Sequence, residues 1–159
     1  TKLTEPQFAE QYTPFRLDLT SAAEPTELEV TIVRDGVRYQ YGFSYDAQRI
    51  RTEWLIVYRK GKGQHWFERQ YDARKKEDVW ASFSSYFKGE RETWRKTTRP
   101  QALFLTTAVQ LNSEQLAPLF DWFINGMTLL NISEYWQSIV RGALILMAVL
   151  LNTQQAKRK

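Results

Sequence analysis

The sequence predicts an α+β fold, with an antiparallel β-meander of about four to six strands followed by a helical region. Apolar and polar residues alternate through residues 28–34, 37–45 and 50–59, with the period of two that strands show. Short turns join these segments, so neighbouring strands should run antiparallel. In the second half of the chain the apolar residues recur at helical spacing. We therefore predict an antiparallel β-subdomain over residues 1–88 and a helical region over residues 89–159, packed as a single compact unit.

The first three predicted strands carry the clearest local signals. Asp35-Gly36 predicts a two-residue type I′ turn, because both central residues of that turn need a positive φ. Alternate residues of the second strand share one face, namely Val37, Tyr39, Tyr41, Phe43 and Tyr45. Alternate residues of the third strand also share a face, namely Ile50, Thr52, Trp54, Ile56 and Tyr58. We expect these Tyr, Phe and Trp side chains to lie together on a packed face, with the opposite face solvated.

The rest of the β-region has weaker signals. A fourth strand is predicted over residues 65–69, with Trp66 facing away from Phe67. The charged residues 70–78 predict a surface loop. Residues 15–19 fit a short edge strand within an otherwise loop-rich N-terminal segment.

Helical spacing begins after a stretch that fits two interpretations. Residues 79–87 are compatible with a strand or a helix, and residues 90–98 predict a short, highly charged helix. Pro100 suits the first turn of the next helix, which we expect to run from residue 101 to residue 111.

Two more helices are predicted towards the C-terminus. The first would be capped by Asn112 or Ser113 and would end near Gly126. Its buried residues would be Leu116, Leu119, Phe120 and Phe123. Residues 127–131 fit a short strand or link. Residues 132–152 predict a long, mostly apolar helix that needs either a partner surface or the rest of a larger protein to cover it.

Composition limits the class of protein. The chain has 159 residues, enough for one domain with a core, and no cysteine, which excludes disulfides and thiolate metal sites. The longest apolar stretch, residues 142–151, is too short to cross a membrane. No signal peptide is visible. The missing initiator Met suggests that the chain begins inside a longer reading frame, with removal of Met before Thr1 as the alternative. The net charge of +4 fits either a solvated surface or weak attraction to nucleic acid.

No catalytic motif is found in the sequence. A phosphate-binding loop requires G-x-x-x-x-G-K-[ST], and Gly61-Lys62-Gly63 lacks that spacing, which favours a hairpin turn. His65 is the only histidine, and no carboxylates lie at ligand spacing from it. Two isolated carboxylates are expected to form cross-strand ion pairs, namely Glu53 and Glu68, each with Arg51 or Arg59. The sequence therefore predicts no catalytic, cofactor-binding or metal-binding residue.

Two stretches, residues 58–66 and 91–96, interleave basic and aromatic residues. Aromatic rings with adjacent cations suit single-stranded nucleic acid, because bases stack on the rings while the cations neutralise phosphates. The candidate nucleic-acid contacts are Lys60, Lys62, Trp66, Arg91, Trp94, Arg95 and Lys96. The same composition also occurs on ordinary solvated surfaces, so both interpretations stay open.

A series of short sequence motifs through residues 14–131 resembles the bacterial AAA-family ATPases of the OLD-like type, close to the RecF, SMC and ABC class. The motifs are PTELEV at 25–30, DGVRYQYGF at 35–43, EWL at 53–55, FER at 67–69, RPQALFL at 99–105 and QLN at 110–112. The resemblance covers about three-quarters of the chain and does not extend into residues 132–159. It implies that the meander is the antiparallel β-subdomain of a larger ATPase domain and that the helices begin its helical insertion.

The resemblance also implies a cellular context. Such ATPases are cytoplasmic, bind ATP with Mg²⁺, dimerise head to tail and often act in DNA repair or antiphage defence beside a nuclease partner. The Walker A and Walker B motifs of the family have no counterpart in this sequence, so we expect an internal, non-catalytic fragment. The alternative is a free-standing module that contacts nucleic acid or a protein partner through a basic, aromatic-rich surface.

Overall fold

The computed structural model describes residues 24–129, which form one antiparallel sheet followed by three helices. The strands are β1 (Thr26–Arg34), β2 (Val37–Tyr45), β3 (Ile50–Tyr58), β4 (Gly63–Asp72) and β5 (Glu77–Trp80). The helices are α1 (Arg91–Thr97), α2 (Phe104–Gln110) and α3 (Ala117–Leu129). Each strand is hydrogen-bonded to its sequence neighbours, in the order β1-β2-β3-β4-β5. The predicted α+β fold is confirmed.

The turns on either side of β2 follow local sequence rules. Asp35 and Gly36 have φ angles of 51° and 72°, both positive, as the predicted type I′ turn requires. In the next turn, Asp46 Oδ1 accepts hydrogen bonds from the backbone N–H groups of Gln48 and Arg49 at 2.8 and 2.9 Å. A short polar side chain that binds its own turn in this way stabilises the reversal.

The third strand packs on the core through the opposite set of side chains from the one predicted. Tyr41 pairs with Leu55 across β2 and β3, and Gly42 pairs with Trp54. Because paired residues point to the same face, Leu55 lies on the core face with Tyr41, and the Trp54 ring covers Gly42 on the other face. The expectation that Trp54 joins the packed Tyr and Phe side chains is wrong. Apolar residues are frequent on both faces of β3, so alternation alone does not show which face is buried. The buried set contains Leu55 and Val57 but also the charged Glu53, which makes it look like the exposed one.

A β-bulge in β4 breaks the predicted alternation. Phe67 pairs with Leu55 and His65 pairs with Ile56, which leaves Trp66 as the extra residue. Trp66 and Phe67 are both buried, at 2% and 0% exposure, although they are neighbours in the sequence. The prediction that they face apart is wrong, because the bulge shifts the phase of the strand by one residue.

A hairpin occupies most of the region predicted as a charged loop. β4 continues to Asp72, which pairs with Glu77 of β5. The Asp72 carboxylate accepts hydrogen bonds from the backbone N–H groups of Arg74 and Lys75 at 2.8 and 3.2 Å, which stabilises the turn. Residues 70–78 are charged because the hairpin is exposed, and charge alone does not distinguish a hairpin from a loop.

The helical region differs from the prediction mainly at its boundaries. Residues 79–87 are a strand only as far as Trp80, and irregular chain follows. The short helix predicted over residues 90–98 is confirmed as α1. The next helix, α2, begins at Phe104 rather than within the turn that contains Pro100.

The last described helix begins later and ends later than expected. α3 starts at Ala117, after Asn112, which has a positive φ of 63°, and Ser113, whose buried hydroxyl has no hydrogen-bond partner among residues 24–129. It continues through Gly126 to Leu129, so residues 127–129 are helical rather than a strand. A single glycine lowers helix propensity but does not end a helix that tertiary packing supports.

The core lies between one face of the sheet and the three helices. Its centre is a cluster of aromatic side chains, namely Trp66, Phe67, Phe87, Trp94 and Phe104. The strand predicted at residues 15–19 and the helix predicted at residues 132–152 lie outside the described residues. No helix within residues 24–129 is both long and apolar enough to span a membrane.

Candidate functional site

A buried ionic centre joins three strands of the sheet. Glu53 on β3 and Arg69 on β4 are cross-strand partners, and Arg69 Nε lies 3.2 Å from Glu53 Oε2. Tyr41 on β2 donates its hydroxyl to Glu53 Oε1 at 3.0 Å. Glu53 is 0% exposed and Arg69 is 2% exposed. The expected partners of Glu53, Arg51 and Arg59, are wrong, because the strand register places Arg69 directly opposite the carboxylate.

The Glu53 carboxylate also caps α2, which lies far from it in the sequence. Its Oε2 accepts a hydrogen bond from the backbone N–H of Phe104 at 2.7 Å, and its Oε1 accepts one from Leu105 at 2.9 Å. Arg69 Nη2 donates to the carbonyl oxygen of Ala102 at 2.5 Å. The first N–H groups of a helix have no partner within the helix, so this long-range cap explains where α2 begins.

The electrostatics of the centre follow from burial. Burial raises the pKa of the Glu53 carboxyl, while Arg69 and the surrounding hydrogen-bond donors act in the opposite direction. Burial also raises the pKa of the Tyr41 hydroxyl well above its ordinary value, and the neighbouring Glu53 charge adds to that effect. Tyr41 is therefore a protonated donor. One hydroxyl and two backbone N–H groups donate hydrogen bonds to the Glu53 carboxylate. The Arg69 guanidinium balances the charge as an ion pair, while its Nε and Nη1 have no hydrogen-bond partner within the described residues.

This centre links three strands to a helix, and its carboxylate is closed to solvent. The Glu53 side chain has no exposed surface, so a substrate atom cannot reach its carboxylate in this conformation. Among residues 24–129, no group of three or more His, Cys, Asp or Glu side chains could hold a metal ion. The buried charges hold strands β2, β3 and β4 against the start of α2.

The two tryptophans predicted to contact nucleic acid lie in the core. Trp66 and Trp94 are 2% and 3% exposed. Phe87 lies between them, with its ring centroid 5.7 Å from that of Trp66 and 5.8 Å from that of Trp94. The fold thus brings the two basic, aromatic stretches together, but it covers the ring faces on which bases would stack. Stacking on these two rings is not available in this conformation, because protein side chains already occupy it.

Of the basic residues predicted to contact nucleic acid, some are exposed and others are half-buried and bonded to protein groups. Lys60, Lys62 and Lys96 are exposed. Arg91 is half-buried and donates to the carbonyl oxygen of Ser84 at 3.1 Å. Arg95 is half-buried and forms an ion pair of 2.7 Å, between its Nη2 and Glu92 Oε2. Contact of these cations with nucleic acid stays a prediction.

A polar cleft of about 530 Å³ lies beside the turn between β2 and β3. Its lining includes the hydroxyls of Ser44 and Thr52, which hydrogen-bond each other at 2.6 Å, and the side chain of Arg51, which is paired with Asp46. These polar groups already have protein partners. They do not converge on a common point as the polar groups of a catalytic site do.

Sequence reasoning missed the role of Glu53 and Arg69, although one signal was present. Glu53 shares the alternation of Leu55 and Val57, and a carboxylate within an apolar set is buried only if it is paired. The cap on α2 left no local signal, because its two ends are separated by about fifty residues. Glu68, expected to pair with an arginine, instead lies 3.1 Å from His65 on the exposed face.

The comparisons with known proteins give a match to a family model. A family model described as "AAA domain, putative AbiEii toxin, Type IV TA system" matches residues 7–122, which is most of the chain. No curated protein and no solved structure matches.

Proposed function

Because this chain belongs to the AAA-domain family, we propose that it is a non-catalytic segment of an ATPase that binds and hydrolyses ATP with Mg²⁺. The sequence contains no G-x-x-x-x-G-K-[ST] motif, whose backbone N–H groups and lysine would hold the phosphates. The nearest stretch, Gly61-Lys62-Gly63, is a hairpin turn that leads into β4 rather than into a helix. Such a turn offers no helix N-terminus to a phosphate.

The buried ionic centre is the observation that carries this proposal. Glu53 and Arg69 are the fully buried charged side chains among the described residues, and both are used to attach α2 to the sheet. A catalytic acid, base or electrophile would instead need a surface that a substrate can reach. The described part of the chain therefore fits a scaffold for an active site formed by other segments.

The proposal extends to the parent protein. We place it in the OLD-like class, in the cytoplasm, with residues 1–88 as its antiparallel β-subdomain and residues 89–159 as part of its helical region. Its partners are the rest of the ATPase domain or a second copy in a homodimer. DNA repair or antiphage defence, with DNA or a nuclease as a further partner, is the proposed process.

The test is to measure ATP binding and turnover by the purified 159-residue chain. We expect no Mg²⁺-dependent phosphate release above background and no saturable binding of a fluorescent ATP analogue. A Lys62→Ala variant is the control, because it removes the lysine nearest to a phosphate-loop position. Turnover that depends on Mg²⁺ and is lost in Lys62→Ala would overturn the proposal. Turnover that is equal in both proteins would indicate a contaminating ATPase. The absence of Mg²⁺-dependent phosphate release would then be checked after further purification.

A further inference from the structure

Two turns of the sheet lie side by side at one of its ends. In an antiparallel meander, successive turns alternate between the two ends, so the β1–β2 and β3–β4 turns share an end. β2 and β3 are adjacent, and Arg38 on β2 pairs with Tyr58 on β3, immediately beside both turns. Neighbouring strands are about 4.8 Å apart, so the four strands that form this end span roughly 15 Å.

This end of the sheet carries a concentrated positive charge, which we call the basic rim. Its five cations are Arg34, Arg38, Arg59, Lys60 and Lys62, and all five are exposed. The carboxylate of Asp35 is the acidic group in the same turns. Arg34 Nε lies 3.9 Å from Asp35 Oδ2, with both side chains mostly exposed, and an ion pair of that kind is weak in water. Sequence reasoning identified Lys60 and Lys62 alone, because the fold is needed to bring the first turn beside them.

The opposite end of the sheet has as many cations but is nearly neutral. Its cations are Arg49, Arg51, Arg74, Lys75 and Lys76, and its carboxylates are Asp46, Asp72, Glu77 and Asp78. Arg49 Nη2 forms an ion pair of 2.6 Å with Asp78 Oδ1, and Arg51 pairs with Asp46. The positive charge of the described sheet is therefore concentrated at the rim and is not spread evenly over its ends.

Two of the rim arginines, Arg38 and Arg59, lie against aromatic rings, and their guanidinium N–H groups have no hydrogen-bond partner among residues 24–129. The Arg38 guanidinium lies 3.9 Å from the Tyr58 ring centroid, and the Arg59 guanidinium lies 5.7 Å from that of Trp66. A cation–π contact orients a guanidinium without using its hydrogen-bond donors. Those planar donors match the geometry of phosphate oxygens.

We infer that the basic rim binds the phosphate backbone of double-stranded nucleic acid without reading its sequence. A duplex carries one negative charge per roughly 1.7 Å of axis, so a 15 Å rim faces enough phosphates to engage all five cations. Single-strand binding normally adds base stacking on exposed rings, whereas Tyr58 is half-buried below Arg38 and Trp66 is in the core. This inference does not depend on the proposed ATPase role.

The test uses the full chain and a fluorescent 20-base-pair DNA of mixed sequence, with anisotropy measured between about 50 and 200 mM KCl. The rim variant combines Arg34→Glu, Lys60→Glu and Lys62→Glu. The matched control combines Arg74→Glu, Lys75→Glu and Lys76→Glu, which changes the net charge equally at the opposite end. For three to five phosphate contacts we expect a slope of log K against log salt of about −2.7 to −4.5. The rim variant should bind at least about tenfold more weakly with a shallower slope, and the control should stay within about threefold.

Three results would overturn the inference. Equal weakening by the rim and control variants would indicate attraction by net charge alone. Salt-independent binding, or none at 50 mM KCl, would show that the rim does not engage phosphates. Tighter binding of poly-glutamate than of DNA at matched charge would assign the rim to an acidic protein partner. Far-UV circular dichroism of both variants checks that folding is unchanged, and none of these results bears on ATP turnover.

Discussion

Glu53 shows how one residue can determine the relation between distant elements. Its carboxylate accepts the Tyr41 hydroxyl and two backbone N–H groups of α2, while Arg69 balances its charge. Burying an ion pair costs desolvation energy that its mutual attraction does not always recover. The pair fixes the relative positions of these elements. Glu53 accepts hydrogen bonds from the first N–H groups of α2, and its contact with Arg69 lies across the paired strands β3 and β4.

We predict that Glu53→Ala lowers the free energy of unfolding by about 3–5 kcal/mol, since it leaves Arg69 charged and unpaired in the core. Urea denaturation followed by circular dichroism measures the change. Glu68→Ala, which removes an exposed carboxylate from the next strand, should change stability by no more than about 0.5 kcal/mol. In the double variant Glu53→Leu with Arg69→Met the loss should be smaller than in Glu53→Ala. Equal losses would show that the pair itself, and not an orphaned charge, sets the effect.

Asp46 gives the chain a pH-dependent contribution to stability. Partial burial would raise its pKa, but hydrogen bonds from Gln48, Arg49 and Arg51 outweigh that effect and lower the pKa below its ordinary 3.8. A carboxyl whose folded pKa is lowered stabilises the protein above its unfolded pKa, and that contribution is lost as the pH falls through the folded value.

We therefore expect Asp46→Asn to be less stable than the parent chain by about 1 kcal/mol near neutral pH. The difference should be constant between about pH 5 and 7 and should shrink below about pH 4, as Asp46 becomes protonated in the parent chain. Thermal unfolding at a series of pH values measures it. Asp35→Asn, at a side chain that is 88% exposed, is the control for removing a turn carboxylate that is not buried. A stability difference between Asp46→Asn and the parent chain that grows as the pH falls would contradict a lowered pKa for Asp46.

At the scale of elements, agreement between sequence and structure depends on how local the cause is. The Asp35-Gly36 turn and strand β2 were predicted with their observed bounds, because turn chemistry and alternation act within a few residues. The bulge at Trp66 and the start of α2 were not predicted from the sequence, because each depends on a contact with strand β3 rather than on neighbouring residues. The same distinction applies to the buried ionic centre, which was not predicted because Glu53 binds the start of α2 far along the chain.

The turn between β1 and β2 offers a test of a single backbone conformation. Gly36 has a positive φ and open space around its Cα, so an added methyl group meets strain but no clash. We predict that Gly36→Ala destabilises the chain by about 1 kcal/mol or more. Gly126→Ala, inside α3 with no atom near its added Cβ, should instead stabilise it by about 0.5–1 kcal/mol. Urea midpoints of the two variants should shift in opposite directions, and a shift of the same sign would reject this assignment of backbone strain.

At the scale of the whole molecule, one aromatic cluster connects the sheet to the helices. Phe104 of α2 is fully buried, with its ring centroid 4.7 Å from that of Phe67 on β4 and 5.1 Å from that of Trp80 on β5. It also contacts Phe83 and Phe87 in the chain between β5 and α1. Interiors packed at this density transmit the loss of one side chain to all of its neighbours.

This shared core predicts that the sheet and the helices unfold together. Phe104→Ala should cost about 3–5 kcal/mol, because it removes a buried ring at the centre of the cluster. The urea midpoint should fall equally whether it is followed by far-UV circular dichroism, which reports backbone structure, or by tryptophan fluorescence, which reports the cluster. Tyr86→Ala, at an exposed neighbour in the same chain segment, should leave both midpoints within about 0.5 kcal/mol of the parent values. Separate midpoints for the two probes would mean that the predicted β-subdomain and helical region are independent units, despite the ring contacts that cross between them.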